Sequence, residues 1–237
     1  MNYNYLLIIA FAILLIAIGT WLYFRNVVCS KYSGPLPKEI ILIRHGEKPK
    51  TGGNLNSTGY SHANCWAEFF TSNIPSTINQ PQVLYAMKQD DKQDSSNRPY
   101  ETIFPLSQKL NLSINNNYLR DNEVDLITDI LSVKNMNKSV LVCWEHNAIP
   151  DIFNELVKQL YTKKSCKANV KSWNIDPVNK KSDGDDFSSV WKVTFDQDII
   201  NLETYPGCAI NSDGSCDFNP KKNVNNINNY SCKNSFN

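Results

Sequence analysis

Apolar and polar positions follow three different rhythms along this chain. The first has no alternation at all. From Tyr5 to Phe24 about twenty residues run without a charge (LLIIAFAILLIAIGTWLYF after Tyr5), with Tyr3, Tyr5, Trp21 and Tyr23 at the two ends, the length and aromatic belt of a bilayer span. Residues 1–30 are therefore expected to hold a single-pass membrane anchor through residues 5–24. A cleaved leader fits less well, because Met1 to Tyr5 carries no Lys or Arg and no small-x-small site follows the apolar run. Arg25, Lys31 and Lys38 all follow the span, which by the positive-inside rule favours a cytosolic domain, while the cysteines described below keep the orientation open.

The second rhythm is the short continuous apolar run. Ile40–Ile43 and Val140–Val142 within SVLVCW predict strands covered on both faces, and Val83–Ala86 and Val190–Phe195 are two more strand candidates. The third is helical. Ala63, Trp66, Ala67 and Phe70 form a stripe behind the cap candidates Asn56 and Ser57; Ile149, Phe153, Leu156, Val157 and Leu160 form another; Leu119 to Met136 supplies a third amphipathic stretch. Strands alternating with helices predict an α/β layered domain over residues 39–204, reached through a Pro/Gly tether at 31–38. Thr162 to Ser188 and the Asn-rich segment 205–237 have the polar composition of irregular chain, the latter expected as a loosely ordered extension.

Composition narrows the function. Hydrophobic residues at 41% and 24 Lys+Arg against 23 Asp+Glu describe an ordinary globular chain of net charge +1, with no footprint for nucleic acid. The 7 cysteines show no CxxC and no His at zinc spacing, which argues against a metal site. Cys208 and Cys216, in YPGCAINSDGSC, are a possible disulfide if the domain faces an oxidising lumen.

Chemistry gathers where two of the strands end. Arg44-His45-Gly46-Glu47 closes the first, and Glu145-His146 closes SVLVCW, so both deliver charged groups to the sheet edge where open α/β folds carry their sites. Arg98 opens RPYETIFPL, where Asn97 can cap and Pro99 suits a first helical turn; Pro105 is tolerated only near such a start. Neutral imidazole offers a ring-nitrogen lone pair near pH 7, and guanidinium matches phosphate oxygens in a bidentate, permanently charged way.

In order, ILIRHGEKP, GNLNSTGYSHA, RPYETIFPL and VLVCWEHNAIP resemble the histidine phosphatase superfamily, from about Ile40 to Phe195. The resemblance implies a phosphoglycerate mutase-like three-layer α/β/α sandwich and a phosphatase acting on small phosphomonoesters without metal or cofactor. His45 would be the nucleophile that becomes a phosphohistidine, and Arg44, Arg98 and His146 would surround the phosphate oxygens. Asn56 stands where the family commonly has threonine and would reach the phosphate or cap a helix, the cap being favoured. His62 stands where arginine is frequent and is expected on the helix surface; Glu47 and Lys48 read as loop charges. The proton donor is the open position. The aspartate that follows the second histidine in acid-phosphatase-like relatives is Asn147 here, so Glu123 ranks first, with Asp121, Asp125 and Glu145 as alternatives, although acids also cluster in first helical turns for electrostatic reasons. Competing readings are a catalytically degenerate phosphate-binding or adaptor module at a membrane, and a mutase-type phosphotransferase. Retention of Arg44, His45, Arg98 and His146 together favours the enzyme.

Overall fold

Strand β1 (Glu39–Arg44, EIILIR) is buried at every position, as an apolar run without alternation requires. In the computed structural model, which describes residues 32–90, 96–160, 168–170, 175–176, 181–182, 186–196, 199–218 and 220, it lies at the middle of a seven-stranded sheet. On one side it pairs in parallel with β4 (Ser139–Trp144), followed by β2 (Val83–Ala86) and β3 (Ile114–Asn115), also parallel. On the other side β8 (Ser189–Asp196) runs antiparallel to it, followed by β9 (Ile199–Pro206) and the short β5 (Ala168–Val170). Strands β6 (Ile175–Asp176) and β7 (Lys181–Ser182) form a separate small ladder. The apolar segment 5–24, and with it the expected anchor, lies outside the described residues; among those, no helix is long and apolar enough to cross a membrane.

Helices cover both faces. Ile41, Ile43, Leu141 and Cys143 pack with Trp66, Phe69 and Phe70 of α1 (Ser57–Ser72) and Ile103 and Leu106 of α2 (Arg98–Leu110). The alternate residues Ile40, Leu42, Val140, Val142 and Trp144 pack with Leu126, Ile127 and Ile130 of α3 (Glu123–Ile130) and with Ile152, Phe153 and Leu156 of α4 (Ile149–Leu160). One strand thus feeds two cores, so a one-residue slip of β1 would exchange every contact.

Local chemistry sets the helix ends. Asn56 caps α1, its side chain accepting from Gly59 N at 2.8 Å. Asn97 precedes α2 without a side-chain cap bond, and Asn111 ends it in the left-handed region (φ 51°), its N–H reaching Gln108 and Ser107 carbonyls. Pro105 sits well inside α2 rather than near its start. The stretch Leu119 to Met136 is not one helix; α3 ends at Ile130 and a 3-10 turn, Val133–Asn135, follows.

The C-terminal segment differs from expectation. Instead of a loose extension, β10 (Ala209–Ile210) and β11 (Cys216–Asp217) form a hairpin turned by Gly214 at φ 82°. Cys216 is bonded to Cys65 on α1 across a Cα separation of 5.6 Å, so the expected Cys208–Cys216 bridge is replaced by one that clamps this hairpin to a helix. Cys208 is buried instead beneath it.

Candidate active site

The register Arg44↔Trp144 and a further bond from His45 N to Trp144 O (3.1 Å) carry the β1–β4 pairing to the last residue of both strands. The chain segments 45–47 and 145–147 therefore leave the sheet side by side at one edge. Arg44 and His45 are 3% and 2% exposed. His45 Nδ1 lies 2.7 Å from Gly46 O; a carbonyl only accepts, so Nδ1 carries the hydrogen and Nε2 keeps its lone pair. Burial, opposed by that bond and by Glu145 but assisted by the charges of Arg98 and Arg44, pushes the imidazole pKa down to about 3. His45 is neutral at pH 7.

Thr102, fully buried, joins the loop to the helix. Gly46 N donates to its hydroxyl at 2.8 Å, and the hydroxyl donates to Arg98 O at 2.7 Å. The loop also presses on α1: a Cβ on Gly46 would stand 3.0 Å from Gly59 O, and one on Gly59 only 2.3 Å from Glu47 O. Two facing glycines let strand end and helix start approach this closely. Arg98, at the N-terminus of α2, donates through Nε to Ser96 Oγ at 2.8 Å. Glu101 one turn on accepts from Leu55 N (2.7 Å) and Tyr60 Oη (3.0 Å), fixing α2 against α1. The Arg44 guanidinium lies 3.9 Å from the ring centre of Phe187, whose ring also stands 6.4 Å from that of His45. Phe187 lies in the stretch expected to be irregular and carried no sequence signal.

Glu145 follows the last residue of β4, so strand alternation no longer directs it. Its carboxylate accepts from Asn147 N (3.1 Å), Asn147 Nδ2 (3.0 Å) and Arg120 Nε (3.3 Å), and Oε1 lies 2.6 Å from His146 Nδ1, at ion-pair distance rather than in hydrogen-bond alignment. Burial alone would raise its pKa; the His146 contact, the Asn147 N–H and the charges of His146 and Arg120 outweigh burial and hold it at about 2. Glu145 is thus ionised and carries no proton to donate. Asp121 is paired with Arg120 at 2.5 Å on the surface, and Asp125 is exposed on α3. Burial first, then Asp151 and Asp121, raise the Glu123 pKa, and the Arg120 charge opposes them. The structure therefore brings Arg44, His45, Arg98 and Glu145 into one electrostatic group with His146 against Glu145, while Glu123 shares Arg120 with Glu145. Asn56 is occupied as a cap, its Nδ2 donating to Lys48 O at 3.2 Å.

His62 departs furthest from expectation. It is 1% exposed, not on the helix surface. Its Nε2 lies 2.7 Å from Cys208 O, its Nδ1 3.1 Å from Glu47 Oε1, and its ring stacks on Trp66 at 5.7 Å. The two ring nitrogens thus face a carboxylate on one side and a backbone carbonyl on the other. Its position one turn before Trp66, in the same apolar stripe, was the signal that it points inward.

No protein-family model and no curated protein matches the chain. Solved structures do. A candidate phosphohistidine phosphatase SixA from Agrobacterium tumefaciens is similar at 14% identity and TM-score 0.44, over 72% of this chain and 99% of that one. Phosphoserine phosphatase from Entamoeba histolytica, solved as a mutant in complex with phosphoserine, is similar at 13% identity and TM-score 0.43, over 69% and 94%. Phosphoglycerate mutase from Bacillus anthracis is similar at 12% identity and TM-score 0.40, over 73% and 94%. These neighbours are histidine phosphatase superfamily members.

Proposed function

We propose that this chain is a phosphomonoesterase of the histidine phosphatase type, with a phosphoglycerate mutase-like domain, working through a phosphohistidine on His45. The observation that carries the reading is a buried, neutral His45 whose Nδ1 is held by Gly46 O, which leaves Nε2 as the nucleophilic atom on a ring that feels the charges of Arg98 and Arg44. A protein that only bound phosphate would need the cations and have no use for a lone pair fixed in this way. Nε2 attacks phosphorus in line with the departing alcohol, and Arg44, Arg98 and His146 hold the charge spread over the equatorial oxygens. Water then attacks the phosphohistidine. The guanidiniums supply the charge neutralisation, so the reaction is proposed to need no metal.

The test is turnover of a panel of phosphomonoesters by the full-length chain and by His45→Ala. The expected result is acid-labile label on His45 and loss of turnover on substitution; turnover that survives His45→Ala overturns the proposal. Residues 5–24 are proposed as a membrane anchor on their charge-free length, so the full chain should stay with membranes through an alkaline carbonate wash; release into the wash refutes it.

A further inference from the structure

His62 is a buried polar group that the proposed reaction does not use. Its side chain is 2% exposed, and its ring lies nearly parallel to that of Trp66 with 5.7 Å between centres. Both ring nitrogens are engaged, by partners far apart in the chain. Nδ1 stands 3.1 and 3.2 Å from the two carboxylate oxygens of Glu47, two residues past the proposed nucleophile. That contact needs one hydrogen between ring and carboxylate, and either partner can carry it. Nε2 stands 2.7 Å from the Cys208 carbonyl, which only accepts, so Nε2 donates. The loop that follows β1 is fixed on three other sides by its main chain. His45 N donates to Trp144 O (3.1 Å), Gly46 N donates to Thr102 Oγ1 (2.8 Å), and Glu47 O accepts from Asn56 N (3.0 Å). Those bonds face β4, α2 and the start of α1; the Glu47 side chain reaches the remaining side, toward the C-terminal hairpin.

We propose that His62 is a positioning residue for the nucleophile loop, tying Glu47 to the Cys208 carbonyl so that the C-terminal hairpin helps fix where His45 stands. Its kinetic consequence rests on the phosphatase reading above. The far end of this bridge is itself held. Strand β10 begins at Ala209, next to Cys208, and Ile210 pairs with Cys216, which is bonded to Cys65 one turn beyond His62 on α1. The hairpin therefore returns to the same helix that carries the bridging ring. On the other side of Cys208, Gly207 N donates to Ser188 O at 2.9 Å. A Cβ on Gly207 would press into the Trp66 ring and stand 2.8 Å from Ser188 O, so the chain is wedged there between α1 and the residue before β8. The Cys208 carbonyl is thus presented to His62 from a fixed backbone. A ring that only filled the core would need the Trp66 stacking and neither polar partner, and two buried nitrogens would cost stability there without gain.

A series of variants along the bridge tests this, with kcat on a phosphomonoester and histidine ring signals in NMR as separate readouts; the chain has 3 histidines, so those of His45 can be followed directly. The full-length chain is compared with Glu47→Ala, Glu47→Gln, His62→Phe, the double variant Glu47→Ala/His62→Phe, and Cys216→Ser in the parent and in His62→Phe. A loop displaced by about 1 Å can lose on the order of 100-fold in rate. Glu47→Ala and His62→Phe are each expected to lose about 10- to 100-fold in kcat, and the double variant no more than the worse single, because both cut one link. Glu47→Gln keeps a hydrogen-bonding group opposite Nδ1 without the charge and should recover most of that loss. Cys216→Ser should slow the parent and move its His45 signals, and do both much less in His62→Phe. Losses that multiply in the double variant, a Glu47→Gln as slow as Glu47→Ala, or a Cys216→Ser that slows His62→Phe as much as the parent overturns the proposal. If His62→Phe fails to fold, the Glu47 pair decides, since that side chain is 22% exposed. A full-length chain that turns over no ester and labels no His45 sinks the phosphatase reading instead; the bridge is then judged on the NMR signals, and His45 signals unmoved by both Glu47→Ala and Cys216→Ser overturn it.

Discussion

Replacing Thr102 by valine removes one oxygen from the centre of the site while nearly preserving shape. The hydroxyl accepts from Gly46 N and donates to Arg98 O. Arg98 O belongs to the first turn of α2 and keeps its helical N–H partner, so only Gly46 N is left orphaned. A buried donor without a partner costs about 1–3 kcal/mol. For a domain of this size that corresponds to a fall in melting temperature of about 3–10 °C. Activity should suffer more than stability, because the same bond sets the spacing between the His45 loop and Arg98, and a displacement near 1 Å can cost on the order of 100-fold in rate. Thr102→Ser is the control: it keeps both bonds and loses a buried methyl, about 1 kcal/mol, with kcat close to that of the parent. The assay pairs thermal melts with kcat and KM on a phosphomonoester, and with inhibition by inorganic phosphate. A valine variant that turns over normally, or a serine variant that loses as much activity as valine, would show that Thr102 only fills space.

Two further outcomes follow from groups described above. His45 and Glu145 both have folded-state pKa values below their ordinary ones, about 3 and about 2, so the unfolded chain takes up their protons first. The contribution of these two groups should be flat above pH 6.5, fall between pH 6.5 and 3 through His45, and fall further between pH 4.5 and 2 through Glu145; urea midpoints of His45→Gln that keep the full slope between pH 6.5 and 3 would contradict this. Removing the Cys65–Cys216 bond, with a sequence separation of 151, forfeits up to about 5 kcal/mol of chain-entropy stabilisation, so the double serine variant or the reduced protein should melt on the order of 5–15 °C lower. Coincident melts with and without reductant would mean the clamp contributes nothing.

The strands that carry the site were legible because the sheet is buried on both faces. Ile40–Ile43 and Val140–Val142 have no polar alternation, and their ends locate Arg44, His45 and His146 directly. Helix periodicity located α1 and α4 for the same reason. Pro105 was misjudged because a proline forbids less than its missing N–H suggests when the helix around it is held by buried Ile103 and Leu106. His62 was assigned to the surface by polarity, although its spacing from Trp66 placed it in the core. Nothing local announces that a carbonyl at Cys208 waits for its Nε2, because that contact spans 146 residues. The partner of Cys216 was equally unreadable, since sequence proximity to Cys208 is no guide once a hairpin folds back onto α1. Glu145, one of the alternative donors, lies past the end of β4 at Trp144, so the alternation that assigns strand residues to faces does not reach it.

The bond between Cys65 and Cys216 makes the chain between them a closed covalent ring, and the four residues proposed to act on phosphate divide across it. Arg98 and His146 lie within the ring, whereas Arg44 and His45 belong to the stem that inserts through the middle of the sheet. A protease cutting once inside the ring leaves one molecule, its two halves still tethered. A cut between Gly46 and Asn56 instead severs the nucleophile-bearing strand covalently from the ring, and only non-covalent contacts, the ladder bonds to β4 and β8, its buried side chains and the Gly46–Thr102 bond, then hold it in place.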